Sequence, residues 1–74
     1  MKTQEIINAM MARINELRDA KETLMDRMQH YRINYAGWMD SEDGKKAQEE
    51  YARIEKQVTC YSLAVLELKQ VAEF

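Results

Sequence analysis

Residues 35–46, YAGWMDSEDGKK, hold both glycines of the chain, its one tryptophan and its densest run of acidic side chains. There is no proline anywhere in the 74 residues. Proline and glycine are the residues a helix interior tolerates least, so nothing outside residues 37–44 interrupts a helix. This stretch therefore decides the fold, because a helical chain can turn only here. Gly37 stands where the left-handed residue that ends a helix belongs. In such an ending the next residue folds back onto the third residue from the helix end, which places Trp38 over Ile33. Asp40 or Ser41 then caps a second helix, with Glu42 and Asp43 in its first turn, where carboxylates complement the helix dipole. At the far end Thr3 caps the first helix, with Glu5 behind it.

On either side of the turn the apolar residues recur at alternating steps of three and four. The first stripe runs Ile7, Met10, Ile14, Leu17, Lys21, Leu24, Met28, Tyr31, Tyr35, broken only by Lys21. The second runs Ala47, Tyr51, Ile54, Val58, Tyr61, Val65, Leu68, Ala72 without a break. A period of 3.5 marks helices packed along their length at a small crossing angle; strands would need a period of two. The pattern predicts a single all-α domain, an antiparallel two-helix hairpin of coiled-coil type. Its helix 1 covers about 4–36, its turn 37–41 and its helix 2 about 42–73. Folding about residues 39–40 sets Tyr31 against Ala47, Met28 against Tyr51, Leu24 against Ile54, Leu17 against Tyr61, and Ile14 against Val65. The same register brings Arg27 and Arg32 near Glu50 and Glu55, and within helix 2 pairs Glu42 with Lys46 and Glu49 with Arg53.

Composition bounds the rest. The chain is 46% hydrophobic and 32% charged with a net charge of −2, so both signs are interspersed, as in folded proteins. No apolar run approaches the ~18–20 residues of a membrane span. The start, MKTQEIINAMMARINE, carries Glu5 and Glu16 and does not read as a secretory signal. The lone Cys60 forms no internal disulfide, which suits a reducing cytoplasm, and it reads as a small buried hydrophobe.

Beyond the stripe, the two free ends are apolar. Leu63, Leu66, Val71 and Phe74 lie off the second stripe, and Ile6 and Met11 lie off the first. A hairpin brings these ends together, and a helix end apolar nearly all round is usually buried. The expectation is a homodimer, closing into a four-helix bundle, or a higher homo-oligomer. A lysine in a seam commonly sets oligomer state or register; Lys21 is read instead as packing its stem on Val58 and sending its ammonium toward Glu55 or water.

Chemistry finds little support. Glu22, Asp26 and His30 share an outer helix face but lack the Glu-x-x-His pattern of dinuclear carboxylate bundles, so no metal is expected. There is no phosphate-binding glycine loop and no Ser-His-acid set, both glycines being assigned to the turn. No cofactor and no enzymatic activity are expected. Residues 1–37 hold six basic against five acidic side chains, too balanced for nucleic acid or a membrane surface. Met11, Met25 and Met39 recur every fourteen residues beside the stripe, either as core filler or as a conformable surface for a partner.

In one residue and in its hairpin form, the chain resembles the small helical-hairpin proteins of type VII secretion, whose turn carries Trp-x-Gly. Trp38 is placed correctly; Asp40 takes the glycine position. Tyr51 and Glu55 have the spacing of that family's Tyr-x-x-x-acid export signal but lie early in the second helix. The resemblance implies a secreted hairpin. The residues themselves point first to a cytoplasmic, non-enzymatic protein-interaction module (an adaptor, chaperone or inhibitor) that binds through Ile6, Met11, Leu63, Leu66, Val71 and Phe74. The alternative is a mobile-element inhibitor that blocks a host enzyme with the turn: Trp38, Asp40, Glu42 and Asp43.

Overall fold

The structure is a computed structural model that describes residues 2–72. Two helices make up nearly all of it: α1 (Lys2–Asn34) and α2 (Glu42–Ala72), joined by a 3-10 turn over Trp38–Asp40. They lie antiparallel as a rod of 55 × 15 × 13 Å. Their lengths of 33 and 31 residues match, so each covers the other from end to end.

The two heptad stripes form the seam. Ile7, Ile14, Leu17, Ile54 and Val65 are buried. Met10, Val58, Tyr61 and Leu68 pack partly buried around Ile7, Ile14 and Val65. Lys21, Leu24, Met28, Tyr31, Ala47 and Tyr51 are half-buried. Tyr35 departs from the stripe and is 55% exposed, because α1 has already ended. Full burial of an aliphatic side chain contributes about 1.5–3 kcal/mol. Five such residues among those described make a thin core for a chain of this length, near the limit at which one core suffices.

Lys21 occupies the seam as expected of a snorkelling lysine. Its ammonium lies 3.2 Å from a Glu55 carboxylate oxygen and 5.4 Å from the centroid of the Tyr51 ring. This is the ion pair that crosses between the helices among the described residues. Arg27 lies beside Glu50 as the register requires, the two lining a depression with Leu24 and Ile54. Among the described residues, however, neither Arg27 nor Arg32 makes an ion pair with Glu50 or Glu55, which are held by Arg53 and Lys21. Within α2, Glu42 meets Lys46 at 3.9 Å, and Arg53 pairs with Glu50 at 3.7 Å instead of with Glu49.

The turn differs from its expected form. Helix α1 stops at Asn34, two residues short of 36, so Gly37 is not the residue that ends it. Instead the Trp38 N–H donates to the Tyr35 carbonyl at 3.2 Å, and Gly37 sits at φ 78°, ψ 3°. Those angles fit the third position of a type II turn, which favours glycine. Trp38 consequently stacks on Tyr31, with ring centroids 5.2 Å apart and planes inclined by 19°. Ile33, the expected partner, is 79% exposed. The residue that Trp38 covers belongs to the seam itself, so the indole closes the end of the hydrophobic stripe.

Ser41, rather than Asp40, caps α2: its Oγ accepts the Gly44 N–H at 3.1 Å, the N-cap to N3 bond. Thr3 does not cap α1, which is already helical from Lys2. Gly44 lies inside α2 and is buried, not in the turn. A Cβ there would fall 2.0 Å from the Trp38 carbonyl oxygen and 2.9 Å from Met39 Cα. The first turn of α2 therefore rests directly on the backbone of the 3-10 turn. Gln48 ties the same place, its amide donating to the Met39 carbonyl at 2.9 Å.

Candidate protein-interaction surface

At the open end, the residues selected from sequence are on the surface. Ile6 is 47% exposed, Met11 44%, Leu63 55%, Leu66 54% and Val71 69%; Phe74 lies outside the described residues. Heptad packing explains why: each flanks the stripe without belonging to it. The structure does not gather them into one patch. Met11 lines a depression with Ile14, Arg18 and Ser62, and Leu66 follows Ser62 by one turn. On the opposite flank Met10 lines another with Cys60, Tyr61 and Ala64. Ile6 precedes Met10 by one turn and Val71 follows Ala64 by two. Leu63 projects from the back of α2 between the flanks. Cys60, expected buried, is exposed, because it stands on this second flank and not in the seam.

At the turn, Trp38 is half-buried on Tyr31, and Tyr31 in turn lies 5.6 Å from Tyr35, ring to ring. These rings, with Ser41 and Asp43, border an open depression. Asp40, Glu42 and Asp43 are all exposed. Tyr51 and Glu55 are both engaged with Lys21 in the seam. His30 is exposed, its Nδ1 lying 3.2 Å from the Asn34 amide nitrogen. Among the described residues no helix is long and apolar enough to cross a membrane.

Comparison with protein families, curated proteins and solved structures finds no match to any of the three.

Two of the methionines singled out from sequence, Met25 and Met39, meet at an apolar depression that the sequence alone does not show. Met25, Met28, Gln29, Arg32, Met39 and Tyr51 line a depression of about 200 Å³ near the closed end. Met39 of the 3-10 turn, Tyr51 of α2 and the Met25–Arg32 face of α1 form its walls. The signal was present as a heptad row on the edge of α1, where Met11, Arg18, Met25 and Arg32 follow one another every seven residues. All four are exposed. Neither arginine makes an ion pair among the described residues.

Proposed function

We propose that this chain is a non-enzymatic protein-interaction module, a cytoplasmic helical hairpin that self-associates through its open end. The observation that carries the proposal is excess surface of the wrong kind. The chain exposes 6010 Å², whereas a folded monomer of its mass exposes about 4,800 Å². A rod of 55 × 15 × 13 Å exposes more than a globule of its mass, and the difference of roughly 1,200 Å² leaves room for the ~800 Å² that each partner contributes to a standard interface. The open end exposes five large apolar side chains: Ile6, Met11, Leu63, Leu66 and Val71. Pairing of two hairpins covers one flank of each and completes four helices around a shared core.

The test is the mass in solution. Light scattering of the wild type is expected to give at least twice 8.8 kDa, and Leu66→Asp is expected to return the single-chain mass. A wild type that stays monomeric at about 100 μM, the range of a weak association, overturns self-association. A Leu66→Asp variant of unchanged mass overturns the assignment of the surface.

A second reading is favoured by the aromatic depression at the turn. Tyr31, Tyr35 and Trp38 beside Asp43 offer ring faces and a carboxylate to a basic partner segment. An inhibitor acting through this tip would lose its target with Asp43→Lys, while keeping the wild-type mass.

A further inference from the structure

We propose that the edge of α1 through Arg18, Met25 and Arg32 is the docking site for an acidic amphipathic helix of another protein. A bulky apolar side chain of that helix enters the depression between Met25, Met28, Met39 and Tyr51. Carboxylates two turns before and two turns after it meet Arg18 and Arg32. The inference rests on the interaction-module reading; its centre at Met25, Met39 and Tyr51 lies toward the closed end, while Arg18 also borders the depression of Met11 and Ser62 at the open end.

Three observations converge on this occupant. The depression is apolar and lined by three of the six methionines in the chain. Unbranched thioether side chains adapt to the shape of an incoming anchor. Met25 is 42% exposed at its rim, so the site is open to a partner. Secondly, Arg18 and Arg32 stand seven residues either side of Met25, about 10 Å away along the axis in each direction. A heptad row of this kind is what a second helix at a small crossing angle reads. The arrangement is the same in both directions, so the partner helix is specified by composition and not by polarity.

The third observation is charge. Along this edge Arg18, Lys21 and Arg32 face Glu22 and Glu55, and Lys21 and Glu55 neutralise each other. The edge is therefore positive on a chain of net charge −2. A second copy laid along it in antiparallel fashion would set arginine-bearing edges together, which opposes self-docking here. A partner rich in Asp and Glu is attracted, and guanidinium forks bind carboxylates in two-point contacts. Nucleic acid is the poorer fit: Glu22 and Glu55 lie between the two arginines, where a phosphate backbone would need continuous positive charge.

The experiment uses the full chain and three labelled probes in fluorescence anisotropy. The first is an amphipathic peptide of about 22 residues, long enough for partial helicity, with a leucine stripe and Glu seven positions before and after its central leucine. The second carries Lys at those two positions. The third is a short DNA duplex. The acidic peptide is expected to bind the wild type, and Arg18→Glu with Arg32→Glu to weaken it by about tenfold or more while strengthening the lysine peptide. Met25→Asp is expected to abolish binding without loss of helicity by circular dichroism. Val71→Asp, on the opposite flank from Arg18, is expected to bind like the wild type. The proposal is overturned if both peptides bind equally, if the charge-reversed variant keeps its affinity, if the acidic peptide shows no saturable binding, or if the duplex displaces it.

Discussion

Replacing Gly44 with alanine tests how the closed end is built. In an ordinary helix interior this change stabilises by about 1 kcal/mol, since alanine loses less backbone entropy. Here the new Cβ would lie 2.0 Å from the Trp38 carbonyl oxygen and 2.9 Å from Met39 Cα. Both neighbours are backbone, so no side chain can swing aside, and the 3-10 turn must lift off α2. Lifting it removes the Ser41 cap, about 1 kcal/mol, and the Gln48 bond to Met39, about 0.5–1.5 kcal/mol. It also disturbs the stack of Trp38 on Tyr31, about 0.5–1.5 kcal/mol. The gross loss is about 2–4 kcal/mol; after the helix gain, a net destabilisation of about 1–3 kcal/mol remains. For a domain of this size each kcal/mol moves Tm by about 4–8 °C. Thermal unfolding followed by circular dichroism, at one fixed protomer concentration because association shifts Tm, should show a fall of about 4–24 °C. Trp38 fluorescence should shift to the red as the indole leaves Tyr31. An unchanged or higher Tm would refute the reasoning, showing that α2 does not rest on the turn as described.

Gly37→Ala meets open space but must hold φ 78°, so it should cost about 1–2 kcal/mol in urea unfolding; Gly37→Asn should cost less, since asparagine tolerates that region. Lys21→Leu exchanges a half-exposed ion pair of at most about 1 kcal/mol for an uninterrupted seam, and a rise in Tm is expected; a fall would show that the Glu55 and Tyr51 contacts outweigh apolar packing. Cys60 is exposed and free, so an aromatic disulfide reagent should titrate one thiol in the folded protein. Protection that grows with protein concentration would place Cys60 on the covered flank, and uniform resistance would contradict its exposure.

The seam was readable because its information is local and periodic. Every described stripe residue from Ile7 to Leu68 other than Tyr35 is buried or half-buried, and a step of three or four carries that much without coordinates. What failed depended on spatial closeness between residues of different elements. The spacing sets Trp38 on Ile33 only if α1 runs to residue 36. Ending at Asn34 changes the turn type and turns the indole to Tyr31. Gly44 looked like a second turn glycine; only the Trp38 carbonyl against its Cα shows why a helix keeps it. The register brings Arg27 beside Glu50, but whether an ion pair closes depends on side-chain reach, which a register count does not give. For the interaction surface, the sequence revealed which apolar residues are left over at the open end. It did not reveal that they divide between two flanks, nor that Met39 opens a depression beside Met25.

The fully buried residues lie mostly away from the turn. Ile7, at 2% the least exposed core residue, packs in one cluster with Ile14 and Val65, whose neighbours in space are distant in the chain. Most of the apolar gain thus arrives only after nearly the whole chain has been looped back on itself, and closing so long a loop costs entropy before any contact offsets it. Folding should accordingly start at the aromatic stack and the Ser41 cap and travel along the rod as a zipper. The barrier should lie late, near the closing of Ile7 on Val65. Amide exchange around Ile14 and Val65, although they lie toward the open end, would then report global unfolding.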